Sequence, residues 1–110
     1  MWGVLKTKKN YLSKLNFSIT DLDRNYNILE IGADNGNFLK LLKKIYKNSD
    51  LYAIEPNLNM KKDLSQVTKN VFNSVDEISI NQKFDIIIGI HVFDHIPNLN
   101  EYFNKLNEHL

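Results

Sequence analysis

The chain has 110 residues, 43% of them hydrophobic and 25% charged, with a formal net charge of +1 and no cysteine. That length gives one domain able to bury on the order of two-thirds of its unfolded surface, and the near-neutral balance speaks against a dedicated nucleic-acid face. The missing thiols exclude disulfides, thiolate catalysis and cysteine-type zinc sites.

Residues 1–26 carry the weakest pattern. The opening MWGVLKTKKNYL holds no sustained apolar segment, and no later run approaches the roughly 20 residues of a membrane span, so a soluble, cytoplasmic protein with no membrane partner is expected. Leu5, Tyr11, Leu12 and Leu15 fall at helical spacing and predict a short amphipathic helix in an N-terminal helical or irregular segment. Lys6, Lys8, Lys9 and Lys14 are a local excess of one sign, read as a solvated helix face.

Residues 27–110 are regular. A strand over about 27–32 runs into a helix over about 36–47, whose apolar positions are Phe38, Leu39, Leu42 and Ile45. The next strand, Leu51 to Glu55, stops at Pro56, which has no N–H for a ladder. Asn57 is placed to cap a helix through Leu58, Met60, Leu64 and Val67. Val71 to Val75 is a third strand candidate, and Lys83 to His91 contains FDIIIGI, the near-continuous aliphatic run of a strand covered on both faces. His95, Ile96, Pro97 and Asn98 then break the chain before a last helix patterned on Leu99, Tyr102, Phe103, Leu106 and Leu110. Strands alternating with helices at this spacing predict βαβ units and an α/β fold with a parallel sheet.

The stretch ILEIGADNGNFLKLL, residues 28–42, concentrates the chemistry. A strand, a glycine-bracketed loop and a helix start in succession present backbone N–H groups and positive dipole at one point. A dinucleotide fingerprint needs glycine two positions after Gly32, where the backbone meets a pyrophosphate; here that position is Asp34, whose carboxylate repels phosphate and suits a ligand with an ammonium and a sulfonium. Glu55 ends the second strand about 20 residues further on, where an acid can accept from both hydroxyls of a ribose. Glu30 sits inside an apolar strand and needs a partner, either the ligand's amino group or a donor of the protein.

These residues resemble the class I S-adenosylmethionine (SAM) methyltransferases. The first motif of that family, acid-x-Gly-x-Gly-x-Gly, is matched by Glu30, Gly32 and Gly36, with Asp34 at the middle glycine; the acid ending strand two is matched by Glu55 in YAIEPN; and FDIIIGIHVFDHIPNLNEYFNKL matches the segment around strand four. EIGADNG, IEP and HVFDHIPNLN look closest to the subgroup that includes sugar C-methyltransferases. The resemblance implies a Rossmann-like three-layer sandwich, SAM as cofactor and a small-molecule acceptor. It implies that Gly32, Asp34, Asn35 and Gly36 line the methionine end of SAM with Glu30 behind them, and that Glu55 holds the ribose. Pro56 and Asn57 would then flank the adenine, with Ser74 near the position where the family often has an acid, and Ile90 and His91 beside the transferable methyl. His91 could be a general base or a polar wall of the pocket. Three scattered histidines, His91, His95 and His109, give no metal-ligand spacing.

The family fold has seven strands ordered 3-2-1-4-5-7-6, and this sequence supplies the first four, order 3-2-1-4. A truncated product, a complementing chain, or a homodimer paired through an open strand-four edge are the expected explanations. Two functions follow: a methyltransferase, or its cofactor-binding half, and a non-catalytic SAM-binding or assembly module.

Overall fold

The computed structural model describes residues 2–7, 22–90, 92 and 95–110, and of residues 2–7 and 90 it describes the backbone. In chain order the elements are β1 (Trp2–Thr7), β2 (Asn27–Ile31), α1 (Asn37–Ile45), β3 (Asp50–Ile54), α2 (Leu58–Leu64), β4 (Asn70–Phe72), a 3-10 turn (Val75–Glu77), β5 (Ile86–Ile90) and α3 (Leu99–Asn107). They form one sheet in the order β1-β5-β2-β3-β4.

The four expected strands are β2 to β5, all parallel, and their order is the expected 3-2-1-4. β2 lies at the centre, with Glu30 opposite Ala53 of β3 on one side and Ile88 of β5 on the other. Strand alternation sends Ile28, Ala53, Ile86 and Ile88 into one apolar layer with Leu39 and Leu42 of α1 and Leu64 of α2. The other face carries Leu29, Ile31, Ile54 and Ile87 into a second layer with Phe84 and Leu106, against which Leu99, Tyr102 and Phe103 of α3 pack. Helices thus cover both faces, which is the three-layer Rossmann-like arrangement. Ile86, Ile87 and Ile88 are each at most 1% exposed, so β5 is interior on both faces, as its aliphatic run requires.

Two elements differ from the sequence expectation. The pattern before residue 27 predicts a helical or irregular segment that leaves the β5 edge open. Instead Trp2–Thr7 forms a strand, antiparallel to β5, with Trp2 opposite Ile90 and Val4 opposite Ile88 and a register shift before Thr7. Leu5 therefore belongs to a strand, because the unpaired backbone groups of β5 are satisfied by a local apolar run that is too short to hold a helix by itself. Tyr11, Leu12 and Leu15, the rest of the expected helix, lie outside the described residues. The second difference is at the end of α1. The spacing puts Ile45 on the buried face, but it is exposed, and Tyr46 takes the buried place, edge-on to Tyr26 at 6.0 Å between ring centroids.

Among the described residues no helix is long and apolar enough to cross a membrane.

Candidate functional site

The strand order reverses direction at β2: the chain moves outward through β3 and β4, then returns to β5 on the other side. A crevice outside the carboxyl ends of β2, β3 and β5 is the place where open parallel sheets of this kind bind ligands. The loop 32–36 lies there, between β2 and α1. Gly32 and Ala33 both donate backbone N–H groups to the Ile54 carbonyl, at 2.8 and 3.3 Å, which pins the loop onto the end of β3.

Three loop residues take the left-handed conformation: Gly32 at φ 69°, Asp34 at φ 51° and Gly36 at φ 87°. Asp tolerates it better than most residues with a side chain. The two glycines make room for different things. A Cβ on Gly32 would stand 3.0 Å from Val92 Cγ2 beyond β5, and one on Gly36 would stand 3.0 Å from Leu64 Cδ1 and 3.1 Å from Val67 Cγ2. Gly36 is thus also the close-packing point between the start of α1 and the α2 region, a role that only the tertiary structure reveals. α1 starts at Gly36 without a side-chain cap.

Glu55 is 5% exposed and ties the loop after β2 to the turn after β3. One carboxylate oxygen accepts the Asp34 N–H at 2.8 Å, and the other accepts the Asn57 N–H at 2.9 Å. A carboxylate offers about four lone-pair positions, so each oxygen retains acceptor capacity. Asn57 caps α2 by accepting the Asn59 N–H at 2.9 Å, which leaves Pro56 and Asn57 exposed beside the Glu55 carboxylate.

Glu30 is the anomaly of the site. It is 3% exposed, and among the described residues its Oε1 has no hydrogen-bond partner. Burial, with the like charges of Asp34 and Glu55 adding to it, pushes its carboxyl up to about 8. The salt bridge found among the described residues, Lys105 to Asp76 at 3.3 Å, lies elsewhere on the surface. Among the described residues, three acids face one another without a basic counter-ion, and no group of acids or histidines is arranged to hold a metal ion.

The structure brings Glu30, Gly32, Asp34 and Glu55 together, with Asn57 bonded to the same carboxylate. Asn35 is half-buried and accepts the Asn37 N–H at 3.2 Å, closing the loop against the helix start. Ser74 is exposed and precedes the 3-10 turn that follows β4, with no hydrogen bond from its side chain to the turn. Asp76, two residues on, is engaged with Lys105 of α3. Ile90 ends β5, and His91 lies outside the described residues. What sequence reasoning missed is the double hydrogen bond of Glu55 and the contact of Val92 with Gly32. Neither has a local sequence signal: the bond from Asp34 to Glu55 spans 21 positions, and Val92 reaches Gly32 from beyond a different strand.

Residues 5–110 match the model of a family described as a methyltransferase domain. The chain belongs to that family. A relative of this methyltransferase domain is "Putative methyltransferase 235L" of Invertebrate iridescent virus 6, 25% identical over an alignment of 114 positions that takes in 96% of the chain. The chain spans 43% of that relative's length. The class I resemblance read from Glu30, Gly32, Gly36 and Glu55 agrees with the family match, whereas neither finding bears on the sugar C-methyltransferase subgroup.

Proposed function

We propose that this methyltransferase domain binds SAM in the crevice at the carboxyl ends of β2 and β3, as the cofactor-holding part of an enzyme that methylates a small-molecule acceptor. The observation that carries the reading is the buried Oε1 of Glu30, unpartnered among the described residues, with the acids Asp34 and Glu55 beside it. A group of this kind is costly unless a donor reaches it, and a ligand ammonium is such a donor. Asp34 disfavours the pyrophosphate of a dinucleotide, since it stands at the loop position where the dinucleotide fingerprint has glycine and would repel the phosphates.

Glu55 suits the ribose. Its two N–H bonds fix the carboxylate plane, and its remaining lone pairs can accept from two vicinal hydroxyls. Pro56 and Asn57, exposed next to it, are placed to flank the base. Bound SAM would supply an electrophilic methyl carbon on a sulfonium for direct displacement. The chain's own contribution is then to hold that carbon in line with the incoming acceptor, an effect worth up to about 7 to 11 kcal/mol in favourable cases. Ile90, which ends β5, and His91, the next residue in the sequence, remain the proposed neighbours of the methyl, with His91 as base or wall.

A second reading, a SAM-binding or assembly module without turnover, is favoured by one feature: β1 occupies the outer edge of β5, where the resemblance places a fifth strand. Association with a second copy or a complementing chain would then use the outer edge of β1 or displace it.

Isothermal titration with S-adenosylhomocysteine (SAH) and with NADH separates the readings. The proposal expects SAH to bind and NADH not to. Binding of NADH without SAH would sink it, and SAH binding without methyl transfer from SAM would favour the module.

A further inference from the structure

Glu30 poses a question that cofactor binding alone leaves open, namely where its charge goes before a ligand arrives. The carboxyl lies in β2 between Ala53 of β3 and Ile88 of β5, in the apolar layer formed with α1. The groups that act on it are Asp34 from its own loop and Glu55 from the end of β3, both acids. β5 beside it reads Ile-Ile-Ile-Gly-Ile and brings no titratable side chain, and α1, whose lysines Lys40, Lys43 and Lys44 are exposed, turns Leu39 and Leu42 toward the sheet. His91 follows β5 in the sequence and lies outside the described residues.

An ionised Glu30 in this setting would be a buried anion facing two others with one oxygen unbonded. A neutral carboxylic acid avoids the repulsion and most of the desolvation cost. When an ammonium group enters, the balance reverses: the cation compensates Glu30, and charge-assisted hydrogen bonds favour the carboxylate.

We propose that Glu30 is a proton-exchange residue of the cofactor site, which carries a proton in the ligand-free protein and releases it to solvent when the ligand's ammonium takes its place. The proposal rests on the cofactor reading above and adds to it a selection rule. Ligands with the amino-acid end bind with release of a proton and more tightly as pH rises. Ligands with the nucleoside alone bind without either effect. No bond other than the carboxyl O–H is broken, and the ammonium keeps its own protons.

The rise of the Glu30 carboxyl to about 8 sets the window at pH 6 to 8, above the range in which ordinary carboxylates titrate. If only the ionised form accepts the ammonium, affinity falls by up to about tenfold for each pH unit below that value, because the competent fraction shrinks in proportion. At pH 7 close to one proton is released per ligand bound.

The test is isothermal titration of the full chain at pH 6, 7 and 8, in buffers of different ionisation enthalpy, with SAH and with 5′-methylthioadenosine, which has the nucleoside but no ammonium. The expected result for SAH is release of about one proton at pH 7 and affinity at least tenfold higher at pH 8 than at pH 6. Methylthioadenosine should show neither. SAH binding with no proton release and less than a twofold pH effect overturns the inference and leaves the cofactor reading standing. No binding of either ligand at any of the three pH values overturns both. Glu30→Gln, which mimics the neutral acid, should abolish proton release, and the wild-type buffer series decides the question even where that variant fails to fold.

Discussion

Replacing Glu30 by glutamine isolates the cost of the buried acid in the absence of ligand. The wild-type carboxyl has a folded value of about 8 against 4.5 for an unperturbed side chain. The folded protein therefore holds a proton that the unfolded chain has lost throughout the interval from 4.5 to about 8. The contribution of this group is fully present below the unfolded value and is lost as pH rises to the folded one. The slope is about 1.4 kcal/mol per pH unit within the window. The glutamine side chain cannot titrate, so every other group cancels in the difference between the two proteins. Wild type should lose about 3 kcal/mol relative to Glu30→Gln between pH 5.5 and 7.5. At the upper end the variant should be the more stable of the two. Urea denaturation followed by circular dichroism at four pH values in that range measures the difference directly. A difference that stays constant to within about 0.5 kcal/mol would refute the reasoning, since it would mean that Glu30 is ionised, or paired, in the ligand-free protein.

Three other substitutions probe separate parts of the account. Glu55→Ala removes the acceptor of two loop N–H groups and the proposed ribose anchor, and should weaken SAH binding at least about tenfold by titration calorimetry; unchanged affinity would remove the ribose role. Gly36→Ala adds a Cβ at φ 87° against Leu64 and Val67 and should destabilise the domain by about 1 to 2 kcal/mol or more, whereas a neutral effect in chemical denaturation would show that α1 shifts freely. Leu39→Ala empties a fully buried position between α1 and the sheet and should cost about 2 to 5 kcal/mol in the same assay, with a loss under about 1 kcal/mol counting against the packing described.

The parallel core was legible because its signals are local and redundant. FDIIIGI, ILEIG and LYAIE are apolar runs bounded by glycine, proline or polar clusters, and the helix between the first two strand positions has its own period. Glu30 was legible as an acid out of place, and Asp34 as an acid where a phosphate loop needs glycine. β1 was not, since WGVLKT is six residues beside a lysine run and becomes a strand by pairing with β5, roughly 80 positions or more away. For the same reason its effect on the β5 edge could not be read: the expectation of an open edge counted only strands with their own pattern. Glu55 was singled out by its place after a strand. Its bonds to Asp34 and Asn57, however, depend on two loops meeting at the sheet end, which spacing alone does not state.

Glu30, Asp34 and Glu55 mark the proposed cofactor crevice at the carboxyl ends of β2 and β3. Titrating SAH into the isotopically labelled chain and following backbone amide resonances tests it most directly, because two of the reporting amides, Asp34 and Asn57, are bonded to Glu55. Saturable shifts concentrated on residues 30–36 and 55–57 are expected. Shifts absent there, or clustered instead on the α1 lysines or on α3, would contradict it.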